Sequence, residues 1–540
     1  MKKIIVFLML MVMIVGTFSG CGKKEEPTTA GKYLRLAQEV DLPSMDQHVA
    51  TDGLSFEVIA ATIEGLYTVD KDGNFIPAIA KGYEVSEDQL TYTFTLRDDA
   101  KWSNGDPVTA ADFVFSWRRL LSPEQASEYN FIGGVAGILN ADKVVAGEVP
   151  GEELGVVAQD DKTLVVTLDR PVPYFLSLTA FSTFFPLNEK FVTEKGADYA
   201  SSPENLLANG PFTMTTWEKG YGFKLDKNAA YYDAANVTIA GLDYRVMKDN
   251  QTATLEYDSG NQDVVKLAAE LVDKYKTTEA YTQIESGYLW YVCPNNQTEV
   301  FSNVNVRKAF QHAINKQQIV DKILNDGSNV ADFIIPIGLA TGPDGKDFRE
   351  SAGTYSVYDV ALAQEYWTKA KAELGDTIEI ELLFDDDGTV KKTAEFIQAE
   401  LETNLPGIKV SLKAQPKKNR LALMTAGDFE VGITRWGPDY ADPLTYLELY
   451  LTGATLNYPK YENAAYDLLV QDSSKGKLAG DPQGRWDAMI EAERIFLEED
   501  GAITPLFQSG YAFLINPKVT GIESHAVGVP FIYKNVKIAD

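Results

Sequence analysis

The sequence predicts an α/β protein of more than one domain, and three observations carry that expectation. Helical and extended patterns alternate through 360–374, 378–384, 391–402 and 408–412, the order of elements that builds a parallel sheet. Two apolar, aromatic runs, 287–293 (G-Y-L-W-Y-V-C) and 503–514 (I-T-P-L-F-Q-S-G-Y-A-F-L), have the character of buried strands. With 540 residues of which 45% are hydrophobic, the chain has more apolar material than one core holds, so two or three domains are expected.

Taken in order, the chain opens with Lys2-Lys3 and an apolar run, 4–18, closed by Ser19-Gly20-Cys21. The run is shorter than the ~20 residues of a membrane span, and a basic start with small residues at its end is the form of a secretory signal peptide, 1–20. The stretch Phe18-Ser19-Gly20-Cys21 resembles the lipobox of bacterial lipoproteins, which implies cleavage before Cys21 and lipidation of its sulfur; Phe18 stands where Leu is usual. Residues 21–30 continue as a polar, charged tether. With Cys21 lipidated, Cys293 is left alone and no internal disulfide is expected. A net charge of −29, about −31 after loss of residues 1–20, favours solubility and excludes nucleic acid as a partner.

The folded body is expected to begin with a strand at 33–40, an extended stretch through Asp41-Leu42-Pro43, and a helix at 55–66 with Phe56, Ile59, Ile63 and Leu66 on one face. Residues 66–69 and 75–79 flank Asp70-Lys71-Asp72-Gly73-Asn74, a hairpin turn; its acidic spacing lacks the later ligands of a calcium loop. In 90–96, Tyr92, Phe94 and Leu96 alternate with threonines, predicting a half-buried strand. Thr109-x-x-Asp112 is a capping box that opens a helix carrying Phe113, Trp117, Leu120 and Leu121 on one face.

Near the carboxyl end, T-R-W-G-P-D-Y-A-D-P-L-T-Y, 434–446, follows the apolar run 429–433. It reads as a buried strand, a break at Gly437-Pro438, and a helix start at Asp442-Pro443. Asp439 is left on the connector between Trp436 and Tyr440, placed either to hold a cationic ligand or to close a turn.

Catalytic and cofactor signals are missing. There is no G-x-S-x-G and no H-E-x-x-H, and His48, His312 and His525 share no motif spacing. Gly133-Gly134-x-x-Gly137 lacks a preceding strand, and Asp385-Asp386-Asp387-Gly388 reads as a solvated loop, so neither cofactor nor metal is expected.

The run A-K-W-S-N-G-D-P-V-T-A-A-D-F-V-F-S-W-R-R, 100–119, closely resembles the signature of the extracellular solute-binding proteins of family 5, the peptide receptors of ABC importers. The likeness continues through E-G-L (64–66), L-D-R-P-V-P-Y-F (168–175), N-G-P-F (209–212), N-V-R-K-A-F-Q-H-A-I-N-K (305–316) and W-G-P-D-Y-A-D-P (436–443). It implies a two-lobed periplasmic-binding-protein type II-like fold with an additional domain inserted in the first lobe. Lobe one maps to 31–62, 187–290 and 506–540, the inserted domain to 63–186 and lobe two to 291–505, with 287–293 and 503–514 as crossovers.

It also implies a function: a lipid-anchored, monomeric receptor on the extracytoplasmic face of the cell membrane that closes on an oligopeptide and delivers it to a permease driven by an ATPase. Dipeptides, signalling peptides or a non-peptide solute are the alternatives within the fold, and an exported peptidase is disfavoured. By resemblance Asp439 holds the peptide ammonium, the main chains of Asp41, Leu42, Pro43 and Ser44 and of Arg435, Trp436 and Gly437 pair with the peptide, Phe115 and Tyr511 line or adjoin the cleft, and Tyr440 is a further ligand-binding candidate. Where some relatives place basic residues for the peptide carboxylate, this chain has Gln311, Val390, Met424 and Ile433; Arg420 and Arg435 could substitute or be surface charges.

Overall fold

The computed structural model describes residues 31–540. The expected signal peptide, Cys21 and the tether to residue 30 lie outside the described residues. Among the described residues no helix is long and apolar enough to cross a membrane.

The amino-terminal part runs β1 (Tyr33–Gln38), α1 (Gly53–Thr62), β2 (Tyr67–Val69), β3 (Phe75–Pro77), β4 (Ala80–Val85), β5 (Thr91–Leu96), α2 (Ala110–Leu121), β6 (Val156–Asp160) and β7 (Thr163–Thr167). Helix α1 starts before the expected residue 55, because Asp52 accepts the Ser55 amide at 3.0 Å. It also ends before the expected residue 66. Asn209 Oδ1 takes the Glu64 amide at 2.8 Å and the Gly210 amide takes the Thr62 carbonyl at 2.9 Å, so tertiary partners replace the next helical turn.

The turn between β2 and β3 is held by Asp70, which accepts the Asp72 and Asn74 amides at 2.9 Å each, with Gly73 at φ +82°. Strands β4, β5, β7 and β6 form a four-stranded antiparallel sheet in that order. Helix α2 packs with Phe113, Trp117, Leu120 and Leu121 fully buried, and the Thr109–Asp112 capping box is formed.

The rest of the chain builds an eleven-stranded sheet. Its further members are β8 (Phe212–Glu218), β9 (Gly222–Lys227), β10 (Gly241–Val246), β11 (Val264–Lys266), β12 (Tyr281–Pro294), β13 (Asn329–Val330), β14 (Ile378–Asp385), β15 (Ile408–Gln415), β16 (Val431–Trp436) and β17 (Thr504–Ile515). The order is β15-β14-β16-β12-β17-β11-β1-β10-β9-β8, with β13 on β17. Strands β14, β15 and β16 are mutually parallel, as the helix-strand alternation predicts; α3 (Val360–Leu374) precedes them, and α4 (Gly388–Asn404) and α5 (Lys417–Ala426) connect them.

The predicted buried strands 287–293 and 503–514 are parts of β12 and β17, which pair antiparallel at the middle of the sheet. One end of β12 pairs with β16 and the far end of β17 with β11, so these two strands carry the chain between the halves of the sheet. Their register shifts between Glu285 and Leu289. At that break the Gln508 amide donates to Ser286 O at 3.1 Å and Ile337 O at 3.0 Å.

Candidate functional site

Strand β16 is buried from Val431 to Thr434 and delivers the chain to Gly437-Pro438, where it must turn. Gly437 is required there by a close approach: a Cβ on it would lie 2.5–2.9 Å from three atoms of the Tyr288 ring. The connector is pinned on both sides of Asp439. Tyr446 Oη donates to Trp436 O at 3.2 Å, and the Asp439 amide donates to Thr445 Oγ1 at 3.0 Å. Asp442 does accept the Leu444 amide at 3.1 Å, but the expected helix is a single turn, Leu444–Leu447. The Asp442 carboxylate chiefly meets the buried Arg485 guanidinium, at 2.8 and 3.0 Å.

The Asp439 side chain is half-buried on the connector, and its single side-chain hydrogen bond among the described residues comes from Tyr129 Oη, at 3.4 Å to Oδ1. Burial pushes its carboxyl up to about 6, against the smaller opposing pull of the Tyr129 hydroxyl. Buried carboxylates elsewhere are better supplied. Asp385, Asp442 and Glu493 pair with Arg420, Arg485 and Arg349, while Glu57 is held by Tyr244 and Tyr533, and Glu64 by Tyr231 and Tyr232. Asp439 has no cation within ion-pair distance among the described residues, which is costly for a charge partly removed from water.

The other expected site residues divide. Arg435 lies over the Trp290 ring at 4.5 Å and reaches Asp385 at 3.5 Å. Trp436 is half-buried and its indole Nε1 has no partner among the described residues. Tyr440 stacks on Tyr174 at 4.6 Å and donates to Glu448 at 3.3 Å, so its ring fixes the connector. Tyr511 lies under Lys266 Nζ at 4.9 Å, and the charges of Asp439 and Arg435 and the Tyr511 phenol all act on the Tyr288 hydroxyl. Asp41 accepts the Gly220 amide at 2.7 Å and has no hydrogen bond to 435–440. The Leu42 side chain is core, and Phe115 is half-buried on α2 away from the Asp439 cavity.

Two expectations are corrected. Arg420 is no surface charge: it is 1% exposed, bonded to Asp385 at 2.9 Å and to Thr434 Oγ1 at 2.7 Å, because the amino end of α5 packs on the ends of β14 and β16. The acidic run 385–388 is solvated only in part: Asp386, Asp387 and Gly388 are exposed and Asp387 caps α4, but Asp385 is buried in that pair. Gln311 is buried and donates to Leu497 O and Ile503 O, so it serves the core.

Sequence reasoning missed Tyr129, Tyr288 and His525. Tyr288 carried a signal, a tyrosine facing opposite to its apolar neighbours along β12. His525 and Asp439 both line a chamber of about 120 Å³.

Comparison with known proteins decides the family. Residues 74–458 match the model described as "bacterial extracellular solute-binding proteins, family 5 Middle". The chain belongs to family 5. A dipeptide-binding protein of Lactococcus lactis subsp. cremoris (strain MG1363) is 34% identical over 538 residues, 96% of each chain. Among solved structures, the substrate-binding domain of an oligopeptide ABC transporter from Bacillus anthracis str. Ames superimposes with TM-score 0.80 at 40% identity, over 95% of this chain and 99% of that one. Listeria monocytogenes OppA bound to peptide gives 0.79 at 38%, over 95% and 100%. The fold is therefore the two-lobed periplasmic-binding fold of family 5, whose members are extracellular binding proteins and not enzymes.

Proposed function

We propose that this protein is a peptide receptor of an ABC importer, and that the half-buried Asp439 carboxylate binds the free ammonium of the peptide. The single observation that carries this reading is the desolvated carboxylate that has no cation among the described residues, standing on a connector pinned by Tyr446 and Thr445. Every unmodified peptide offers one ammonium whatever its sequence, so one fixed carboxylate orients them all. A charge-assisted hydrogen bond of this kind contributes about 1.5–3 kcal/mol. The Trp436 indole Nε1, on the same strand end, is a donor left unfilled among the described residues and suited to a peptide carbonyl. Relatives of this chain named dipeptide-binding protein and OppA bound to peptide support the ligand class.

Closure is a hinge motion of lobe one (31–62, 187–290, 506–540) with its inserted domain (63–186) against lobe two (291–505), centred on the register break between Glu285 and Leu289. The peptide shifts the balance by its differential affinity for the closed form. In this reading the receptor is a monomer, exported by residues 1–20, anchored to the membrane through lipid on Cys21, and it delivers peptide to a permease and ATPase. Native mass spectrometry of the mature chain, 22–540, expressed in rich medium, tests the ligand class. A ladder of peptide masses that Asp439→Ala loses supports the reading. An empty protein, or one non-peptide mass, removes it.

A further inference from the structure

Beside Asp439 the chamber of about 120 Å³ has a wall of unusual composition for a site that takes peptides of any sequence. Ile63, Phe75, Phe181, Phe185 and Val527 give it an apolar lining. Two charged residues also reach it, but both are occupied: Glu64 accepts from Tyr231 and Tyr232, and Lys534 pairs with Asp233 at 2.8 Å. What remains is the imidazole of His525. Among the described residues its Nε2 is buried without a hydrogen-bond partner, and no other side chain lining the chamber is in that condition. The loop that carries it, 525–530, is closed by the His525 amide on Pro530 O at 3.0 Å and turns at Gly528, φ +73°.

The chemistry of an amino acid ties this space to Asp439. The α-nitrogen and Cβ of a residue are both bonded to Cα through bonds of about 1.5 Å, so they lie about 2.5 Å apart. An ammonium held by Asp439 therefore places the first side chain of the peptide in space that Asp439 itself borders, and the chamber is such a space. This inference rests on the ammonium reading above. Size then sets a limit. An apolar cavity of roughly 150 Å³ takes up benzene, so a chamber slightly smaller admits a branched aliphatic group or one ring, and an indole only with displacement of the wall. Charge sets another, because a first-residue Asp, Glu or Lys would be desolvated with no free counter-ion.

We propose that the chamber receives the side chain of the peptide's first residue and selects an aliphatic or single-ring group, with His525 Nε2 hydrogen-bonding a hydroxyl at its tip. Tyrosine is then preferred to phenylalanine, and leucine to alanine, at the first position. Burial holds the His525 ring neutral, and neutral Nε2 makes that bond in either tautomer.

The test is calorimetric titration of the mature protein with X-Ala, X-Ala-Ala and X-Ala-Ala-Ala-Ala, X being Ala, Leu, Phe, Tyr or Lys. Leu, Phe and Tyr peptides should bind about tenfold or more tighter than the Ala peptide, and Tyr about three- to tenfold tighter than Phe. His525→Leu should abolish the Tyr-over-Phe difference and leave the Leu peptide within about twofold. Val527→Trp, which fills the chamber from its loop, should reduce the Leu peptide to the level of the Ala peptide without weakening the latter. Tight binding with no dependence on X, or a preference that neither variant moves, overturns the chamber and leaves Asp439 standing. No binding by any series overturns both.

Discussion

Tyr129 and Asp439 are 310 positions apart in the chain and meet across 3.4 Å, hydroxyl to carboxylate. Tyr129 stacks on Phe131 and meets Phe56 edge-on, so its hydroxyl is aimed by an aromatic group and not by chance. A donor to the charged form of a carboxylate stabilises that form. Tyr129→Phe should raise the Asp439 pKa further and weaken peptide binding at neutral pH about three- to tenfold. Calorimetry of the variant checks both, through the affinity and through the pH at which it falls.

The carboxyl of Asp439, pushed up to about 6, makes binding pH-dependent in a defined direction. The ammonium needs the carboxylate, so affinity is full above pH 7 and falls about tenfold per unit below pH 6, with protons released on binding. The folded pKa lies above the unfolded value. For the empty protein, therefore, Asp439 withdraws stability as pH rises from about 4 to 6, by about 3 kcal/mol in all. Asp439→Asn should accordingly melt higher than the empty wild type at pH 7.5, while losing peptide. Equal melting temperatures would contradict this.

Gly437 faces the Tyr288 ring with no room for a side chain. Gly437→Ala should displace Tyr288, weaken peptide binding by about tenfold or more, and change the unfolding midpoint little, since Tyr288 is half-exposed and can move. Gly437→Ala in a Tyr288→Ala background should recover part of the loss.

Arg420 and Asp385 form a buried pair at 2.9 Å, with Thr434 as a third member. Arg420→Ala leaves Asp385 with Arg435 alone, 3.5 Å away, and should destabilise by about 3–5 kcal/mol in denaturant unfolding. The double variant with Asp385→Ala should be more stable than Arg420→Ala.

Much of the local architecture was legible because it is written in neighbouring residues. The Thr109–Asp112 box, the alternation at Tyr92, Phe94 and Leu96, the turn at Gly73 and the parallel arrangement of β14 and β15 all depend on spacing within a few positions. The failures share one cause. Helix α1 stops where Asn209 reaches it, Arg420 is buried by an aspartate at the end of β14, and Asp439 finds its phenol in a loop far upstream. Each depends on a partner that only the fold brings near. Asp439 itself was singled out from its connector, but its distinguishing property, a desolvated carboxyl with no cation among the described residues, is a property of the assembled site.

The most direct measurement compares one peptide with its N-acetylated form, binding to the wild type and to Asp439→Asn. If Asp439 holds the ammonium, acetylation weakens binding to the wild type by about two orders of magnitude and changes binding to the variant little. Equal affinity of the wild type for both forms would contradict it.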